Sequence, residues 1–214
     1  MYTPSAFAEA RPEVLHALLR EHPLASLVSQ SSSGLEAAHL PLLYFPEEGE
    51  CGVLRGHIAR ANRQWETMTP GSEVLAIFLG PQHYVSPGWY PSKYEHGKVV
   101  PTWNYVAVHA HGRVTVKQEA AWLLENVRAL TEAQEAAQER PWSVTDAPPD
   151  FIDGLLRAIV GIEIEITRLE GKWKTSQNRG TADRAGVANG LSALGTADAK
   201  AMSELVRVKP AAED

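Results

Sequence analysis

The run Leu54-Arg55-Gly56-His57-Ile58-Ala59-Arg60-Ala61-Asn62-Arg63-Gln64-Trp65 carries three arginines, a histidine and an asparagine, with no acid among them. An apolar segment leads into a turn crowded with cationic and amide donors. Arginine offers a planar fork of N–H groups to phosphate oxygens, and charge-assisted bonds are the strong ones. The chemistry suggested is capture of a phosphate-bearing ligand. A solvated strand-to-helix turn anchored by Trp65 fits the same spacing, so the residues leave both readings open. Lys172, Lys174, Arg179 and Arg184 form a second cationic group. Patches of this size match a single phosphate group better than a duplex groove.

Other chemistries find less support. His109-Ala110-His111 places two imidazoles on one strand face, but a stable metal site needs further ligands and none has recognisable spacing. Hydrogen-bonded or exposed histidines are the better reading, and no metal is expected. Cys51 is the sole cysteine, which rules out an intramolecular disulfide and a Cys-X-X-Cys pair, and no nearby helper residue marks it as a nucleophile. Gly80-Pro81-Gln82-His83 is not a phosphate-binding glycine loop, and neither a dinucleotide fingerprint nor a P-loop occurs.

The elements that must position these residues read as strands with inserted and terminal helices. Pro12 suits a first helical position, and Val14, Leu15, Leu18 and Leu19 continue an apolar stripe ended by His22-Pro23. Residues 24–30 and 35–45 read as strands joined by a serine-glycine turn at 31–34, and 52–58 as the strand feeding the cationic turn. A short helix fits 61–68, and 74–79 is a core strand. Residues 81–101, with four prolines among aromatics, read as irregular: a packed lid or a binding loop. Residues 102–117 alternate clearly, with Gly112 as a bulge or bend. Helices follow over 119–138 and from Pro149, the latter burying Phe151, Ile152, Leu155, Leu156 and Ile159. Ile162, Ile164 and Ile166 alternate with Glu163, Glu165 and Thr167, as on a half-buried strand. Two helices fill 181–208. A helix-turn-helix can be drawn there around Gly195-Thr196, but packing explains the pattern equally well. Without βαβ alternation, the class is α+β with an antiparallel sheet.

Length and charge bound the function. The 214 residues, 44% of them hydrophobic, suffice for one domain with a sizeable core. No apolar run reaches membrane-span length and no signal-peptide layout opens the chain, so a cytoplasmic protein is expected. The formal net charge is −6 and the pI about 5.8. Non-specific duplex binding draws on a basic surplus, which this chain lacks.

Four segments in order resemble the PaiB family of FMN-binding negative transcriptional regulators. They are Gly56-His57-Ile58-Ala59-Arg60-Ala61-Asn62 with Gln64-Trp65; Phe78-Leu79-Gly80-Pro81 through Tyr84-Val85-Ser86-Pro87-Gly88-Trp89-Tyr90-Pro91-Ser92-Lys93; Val100-Pro101-Thr102-Trp103-Asn104-Tyr105; and Gly161-Ile162-Glu163-Ile164 through Leu169-Glu170-Gly171-Lys172-Trp173-Lys174 to Ser176-Gln177-Asn178-Arg179. Arg63 stands where the family often has proline. The resemblance implies a split β-barrel of the flavin-reductase and pyridoxine-phosphate-oxidase type, dimeric, with FMN as cofactor. On this reading residues 1–180 form the barrel with inserted helices. Residues 181–208 are helices packed on it or on the dimer partner, and 209–214 form a tail. The implied cofactor residues are His39, Arg55, Gly56, His57, Arg60, Asn62, Trp103, Asn104, Lys174, Ser176 and Gln177. Arg60 is the first candidate for the phosphate and Lys174 the second, with Ser176 and Gln177 as neutral donors; Trp103 and Asn104 supply a wall and an amide contact.

A ligand-responsive regulator with weak or conditional DNA binding is the leading expectation. A flavin-dependent oxidoreductase on the same barrel and a flavin-free dimeric interaction module are the alternatives. No evident acid–base pair favours the enzyme, although flavin brings most of its own redox chemistry.

Overall fold

The structure is a computed structural model describing residues 1–32 and 34–208. Ser33 of the serine-glycine turn and the expected 209–214 tail lie outside the described residues. In chain order come β1 (Ala8–Glu9), α1 (Pro12–Glu21), β2 (Leu24–Ser31), β3 (Gly34–Pro41), β4 (Leu43–Phe45) and β5 (Val53–Ala59). Then follow α2 (Gln64–Thr67), β6 (Glu73–Val85), α3 (Ser92–His96), β7 (Thr102–Lys117) and α4 (Ala120–Glu135). The chain continues with α5 (Pro149–Leu156), β8 (Ile159–Lys174), α6 (Thr181–Leu194) and α7 (Ala197–Arg207). The hydrogen-bonded strand order is β3-β2-β6-β7-β8-β5-β4, with β1 added to β8. Pairs β1–β8, β2–β3, β2–β6, β4–β5 and β5–β8 are antiparallel. Among the described residues no helix is long and apolar enough to cross a membrane.

Two compact units result. Of the described residues, one holds 16–78 and 109–169, the other 1–15, 79–108 and 170–208.

In the first unit, consecutive strands β3 and β4 occupy opposite ends of the strand order. The expected single strand over 35–45 is therefore two strands, broken at Leu42. Leu24 pairs with Pro41 on one side of the break, and Leu43 with Arg55 on the other. Pro41 lacks an N–H to continue a ladder, and Leu42 is fully buried, its N–H bonded to Pro23 O at 2.9 Å. This corner closes the barrel, and Gly56 of β5 lies against it. A Cβ at Gly56 would sit 2.5 Å from Pro41 O and 2.9 Å from a Leu42 methyl. The core takes Ala25 and Leu27 from β2, Leu54 and Ile58 from β5, and Ile162, Ile164 and Ile166 from β8, all alternating as a half-buried strand requires.

Four local expectations are corrected. Strand β7 runs unbroken through Gly112, whose missing side chain admits the neighbouring strand: a Cβ there would be 2.5 Å from Glu165 O. Strand β6 continues through Pro81 to Val85, so the irregular segment begins later and contains α3. In α5, Phe151 and Leu155 are exposed rather than buried, because an eight-residue helix turns only one narrow face inward, through Ile152 and Leu156. The helix expected over 61–68 is confined to α2.

The second unit is built around the C-terminal hairpin. Val187, Ala188 and Leu191 of α6 and Ala199, Met202 and Val206 of α7 enclose Val85 and Tyr90, with Trp89 packed against them. Gly186 and Gly190, one turn apart, form the notch for Trp89. A Cβ at Gly190 would meet its indole at 2.4 Å. The aromatic segment after β6 is thus packed at Trp89 and Tyr90, while Tyr94 stays exposed. Gly195, at φ +73°, ends α6, and the Thr196 side chain caps α7 by accepting from Ala199 N.

Candidate phosphate-binding site

Strand β8 ends in the second unit at Lys174 and turns through residues 175–180 into α6. Asn104, on β7, and Ser176, in this turn, are both buried, and Asn104 Nδ2 donates to Ser176 Oγ at 2.9 Å. Ser176 has φ +64°, the one described non-glycine residue in the left-handed region. That conformation is sterically costly for a residue with a Cβ. The neighbouring Gln177 braces the turn: its Oε1 accepts from Thr175 N at 2.7 Å, and its Nε2 donates to Trp173 O. Arg179 N donates to Ser176 O at 3.0 Å.

Three cations surround this turn. Lys174 Nζ donates to Thr102 Oγ1 at 2.6 Å. Lys172 is buried, donates to Tyr2 O at 3.0 Å and lies over the Tyr2 and Tyr105 rings. The Arg179 guanidinium sits 5.0 Å from the Tyr90 ring centre. Among the described residues, none of the three has a carboxylate at ion-pair distance. The Lys174 ammonium accordingly falls below its usual pKa, chiefly through burial. The Lys172 and Arg179 charges push in the same direction, and Tyr105 opposes them. Concentrated, unneutralised positive charge next to a hydroxyl and an amide is suited to a phosphate. Arg184, grouped with these cations by sequence, is diverted: it donates to Val206 O at 2.8 Å and Val208 O at 2.6 Å.

Strand pleating separates Trp103 from this set, because Thr102 and Asn104 share one face of β7 and Trp103 takes the other. Its indole N–H donates to Gln82 Oε1 at 3.1 Å, its ring meets Tyr84 edge-on, and it is 48% exposed.

The candidates in the first unit have separate partners. His39 Nδ1 is 2.9 Å from Ser26 Oγ on the neighbouring strand. Arg55 bonds Glu163 at 2.7 Å and Glu48 at 2.8 and 2.6 Å, and stacks on Phe45. Its charge is spent inside an open groove of about 360 Å³ that also presents Arg113, Thr115 and Glu165. His57 lies 3.4 Å from the Asn126 amide, and burial pushes its imidazole below the usual value. Asn62 Oδ1 accepts from Gln64 N at 3.1 Å. Buried Gln64 donates to Leu27 O, Ser29 Oγ and Glu36 O, a purely internal set of partners.

Arg60 is engaged on every guanidinium nitrogen. Its three guanidinium nitrogens donate to Arg157 O, Gln118 Oε1 and Ile159 O at 2.8–3.0 Å, and its own carbonyl accepts from Trp65 Nε1. Arg63 instead makes a solvated pair with Glu66 and is 82% exposed. Arg60→Ala should therefore lose about 1–1.5 kcal/mol of stability while Arg63→Ala loses almost nothing. Denaturant melts of the two variants check this, and equal midpoints would refute it.

Glu163 gives a second test. Burial works against its ionisation, but hydrogen bonds from Lys117 and Arg55 outweigh it and hold the carboxyl below its ordinary 4.5. A lowered folded pKa means stabilisation that is present above the unfolded value and lost as pH falls through the folded one. Wild type should thus lose more stability than Glu163→Gln as pH drops below 4.5. Thermal melts across that range decide it, and parallel acid limbs would count against the network.

Lys172 and Arg179 complete the cluster: the sequence grouped them in a phosphate-sized cationic patch but did not single them out for the cofactor. Thr102 and Tyr90 lie in family-like segments, but nothing local marked either as a partner of the cations, since those contacts join elements far apart in the chain.

Known proteins place the chain in a family. Residues 1–168 match the family described as "Putative FMN-binding domain". A protein of Emericella nidulans named only as uncharacterized is 35% identical over 249 residues, covering 100% of this chain and 99% of its own. The protease synthase and sporulation protein PAI 2 of Bacillus subtilis is 31% identical over 209 residues, with 98% of each chain covered. The solved flavocytochrome Anf3 of Azotobacter vinelandii shares the fold, with a TM-score of 0.55 at 15% identity over 78% of this chain and 69% of its own. The antiparallel, helix-flanked sheet is the α+β split barrel, and FMN is the cofactor that the family relationship implies. The chain belongs to the PaiB family of FMN-binding-domain proteins.

Proposed function

We propose that the chain is an FMN-binding, PaiB-like negative regulator of transcription that works as a homodimer and grips the FMN phosphate with Lys172, Lys174 and Arg179. The observation that carries the ligand reading is the gathering of three cations, without a carboxylate partner among the described residues, around the Asn104–Ser176 pair. Burial lowers the Lys174 pKa most, and a phosphate dianion would offset the Lys172 and Arg179 charges that add to it. Lys174 would donate to a phosphate oxygen from its position on Thr102, Ser176 Oγ would add a neutral donor, and Gln177 would hold the turn in shape. Arg60 would act as scaffold for the strand end. When bound, FMN supplies one- and two-electron redox chemistry.

Flavin fluorescence titration tests this. FMN should bind at least about tenfold more tightly than riboflavin, which lacks the phosphate. Equal affinities would remove the phosphate from the recognition.

The regulatory part draws on the relationship to the B. subtilis protein, whose name links it to protease synthesis and sporulation. Direct DNA binding should be weak or conditional. The net charge is −6, Arg184 is committed to helix-end carbonyls, and Arg207 bonds Asn189. A protein neutralising six to ten phosphates loses about 10³–10⁵ in affinity between 50 and 200 mM salt. A much shallower slope is expected here, measured on a promoter fragment with and without FMN. Tight, steeply salt-dependent binding by the protein alone would overturn it.

A further inference from the structure

We infer that an anion held at Lys172, Lys174 and Arg179 tightens the α6–α7 hairpin, so that occupancy of the proposed FMN site is read out as order in the C-terminal helices. The inference rests on the FMN reading above and adds regulation to it.

Arg179 belongs to two structures at once. Its charge is felt at Lys174, within the cation cluster. Its guanidinium also covers the ring of Tyr90, which is fully buried among the apolar side chains of α6 and α7. Its main chain closes the Ser176 turn and adjoins Gly180, the N-cap of α6. In the first turn of that helix, buried Asp183 accepts from Ser92 N at 3.1 Å and Ser92 Oγ at 2.7 Å. Trp89 fills the notch at Gly186 and Gly190 on the same helix. One short segment, residues 89–92, is thus fastened to α6 at three points, and Arg179 lies over its Tyr90.

The direction follows from the charges. With the cations unneutralised, Arg179 and Lys174 repel across the turn that enters α6, which holds Ser176 in the left-handed region, and Lys172 adds to the positive charge at Lys174. Positive charge next to a helix N-terminus also opposes the helix dipole. An anion reverses both effects and leaves Arg179 over Tyr90 without the push from its neighbours. A coupling of this kind needs no displacement of the helices, only a change in how often they open.

Amide hydrogen exchange on the full chain, with and without saturating FMN, tests the idea in wild type and in Arg179→Gln. In wild type, exchange over residues 181–207 should slow about threefold or more, and by more than in β2, which reports general stabilisation. In Arg179→Gln, with FMN raised until flavin fluorescence shows saturation, the extra slowing of the hairpin should vanish. FMN binding with unchanged hairpin exchange would overturn the coupling and leave the cofactor site standing. Slowing that survives in Arg179→Gln would overturn the part given to Arg179. Failure of wild type to bind FMN would overturn both the site and the coupling.

Discussion

Lys174→Ala should bind FMN about ten- to a hundredfold more weakly than wild type, with riboflavin affinity unchanged. One charge-assisted hydrogen bond is worth roughly 1.5–3 kcal/mol, or about one to two decades in affinity. The selectivity matters more than the size, since a general disturbance would weaken both flavins together. Stability should hardly fall, because the substitution also removes a half-buried ammonium repelled by Lys172 and Arg179. A pH signature accompanies the effect. The Lys174 pKa in the free protein lies below its ordinary 10.5, so raising the pH through that depressed value discharges the ammonium. Wild-type FMN affinity should decline over this range, and the variant should lack that component of the decline. Fluorescence titration of both flavins at neutral and alkaline pH measures all of this. Equal losses for FMN and riboflavin would show that Lys174 does not meet the phosphate.

Gly56→Ala should cost about 3 kcal/mol, towards the upper end for overpacking a well-filled interior. For a chain of this size that is a drop of roughly 6–12 °C in melting temperature. The added methyl would meet the Pro41 carbonyl, a backbone atom that no rotamer change can clear. The β3–β4 corner would have to open, and with it the closure of the barrel. Calorimetry supplies the number. A melting temperature within about 2 °C of wild type would mean the corner yields freely. Gly56 is thus a packing residue, although it lies in the motif that first suggested a ligand.

That contrast shows what could be read from the chain and what could not. The Ile162, Ile164 and Ile166 alternation specifies a strand buried on one face, and the valines of β7 do the same, so the sheet was legible. Strand-like spacing also suggested one shared face for Lys174 and Ser176, but β8 ends at Lys174 and Ser176 stands in the turn beyond it, at φ +64°. Arg60 was harder, because a guanidinium fork suits backbone carbonyls as well as phosphate oxygens. Only tertiary placement showed that Arg157 O and Ile159 O engage it. Thr102 and Tyr90 join the cation cluster across 72 residues in one case and an aromatic-on-cation contact in the other. Local propensity holds no information about such pairings. The exposure of Phe151 and Leu155 escaped for a related reason: apolar type constrains what a core contains, not what a surface must exclude.

The pairing of β5 with β8 has a consequence for how the protein is made. Arg55 bonds Glu163, 108 residues further along the chain, and Leu54 sits opposite Ile164. A ribosome adding about 5–20 residues per second needs roughly 5–20 s to deliver that partner. Until then β5 has β4 on one side and an open row of backbone donors and acceptors on the other, a template for the wrong strand. Closing so long a loop is slow even after release. Newly made chains therefore depend on crowding partners staying away, or on a chaperone, for longer than a protein of mostly local contacts would.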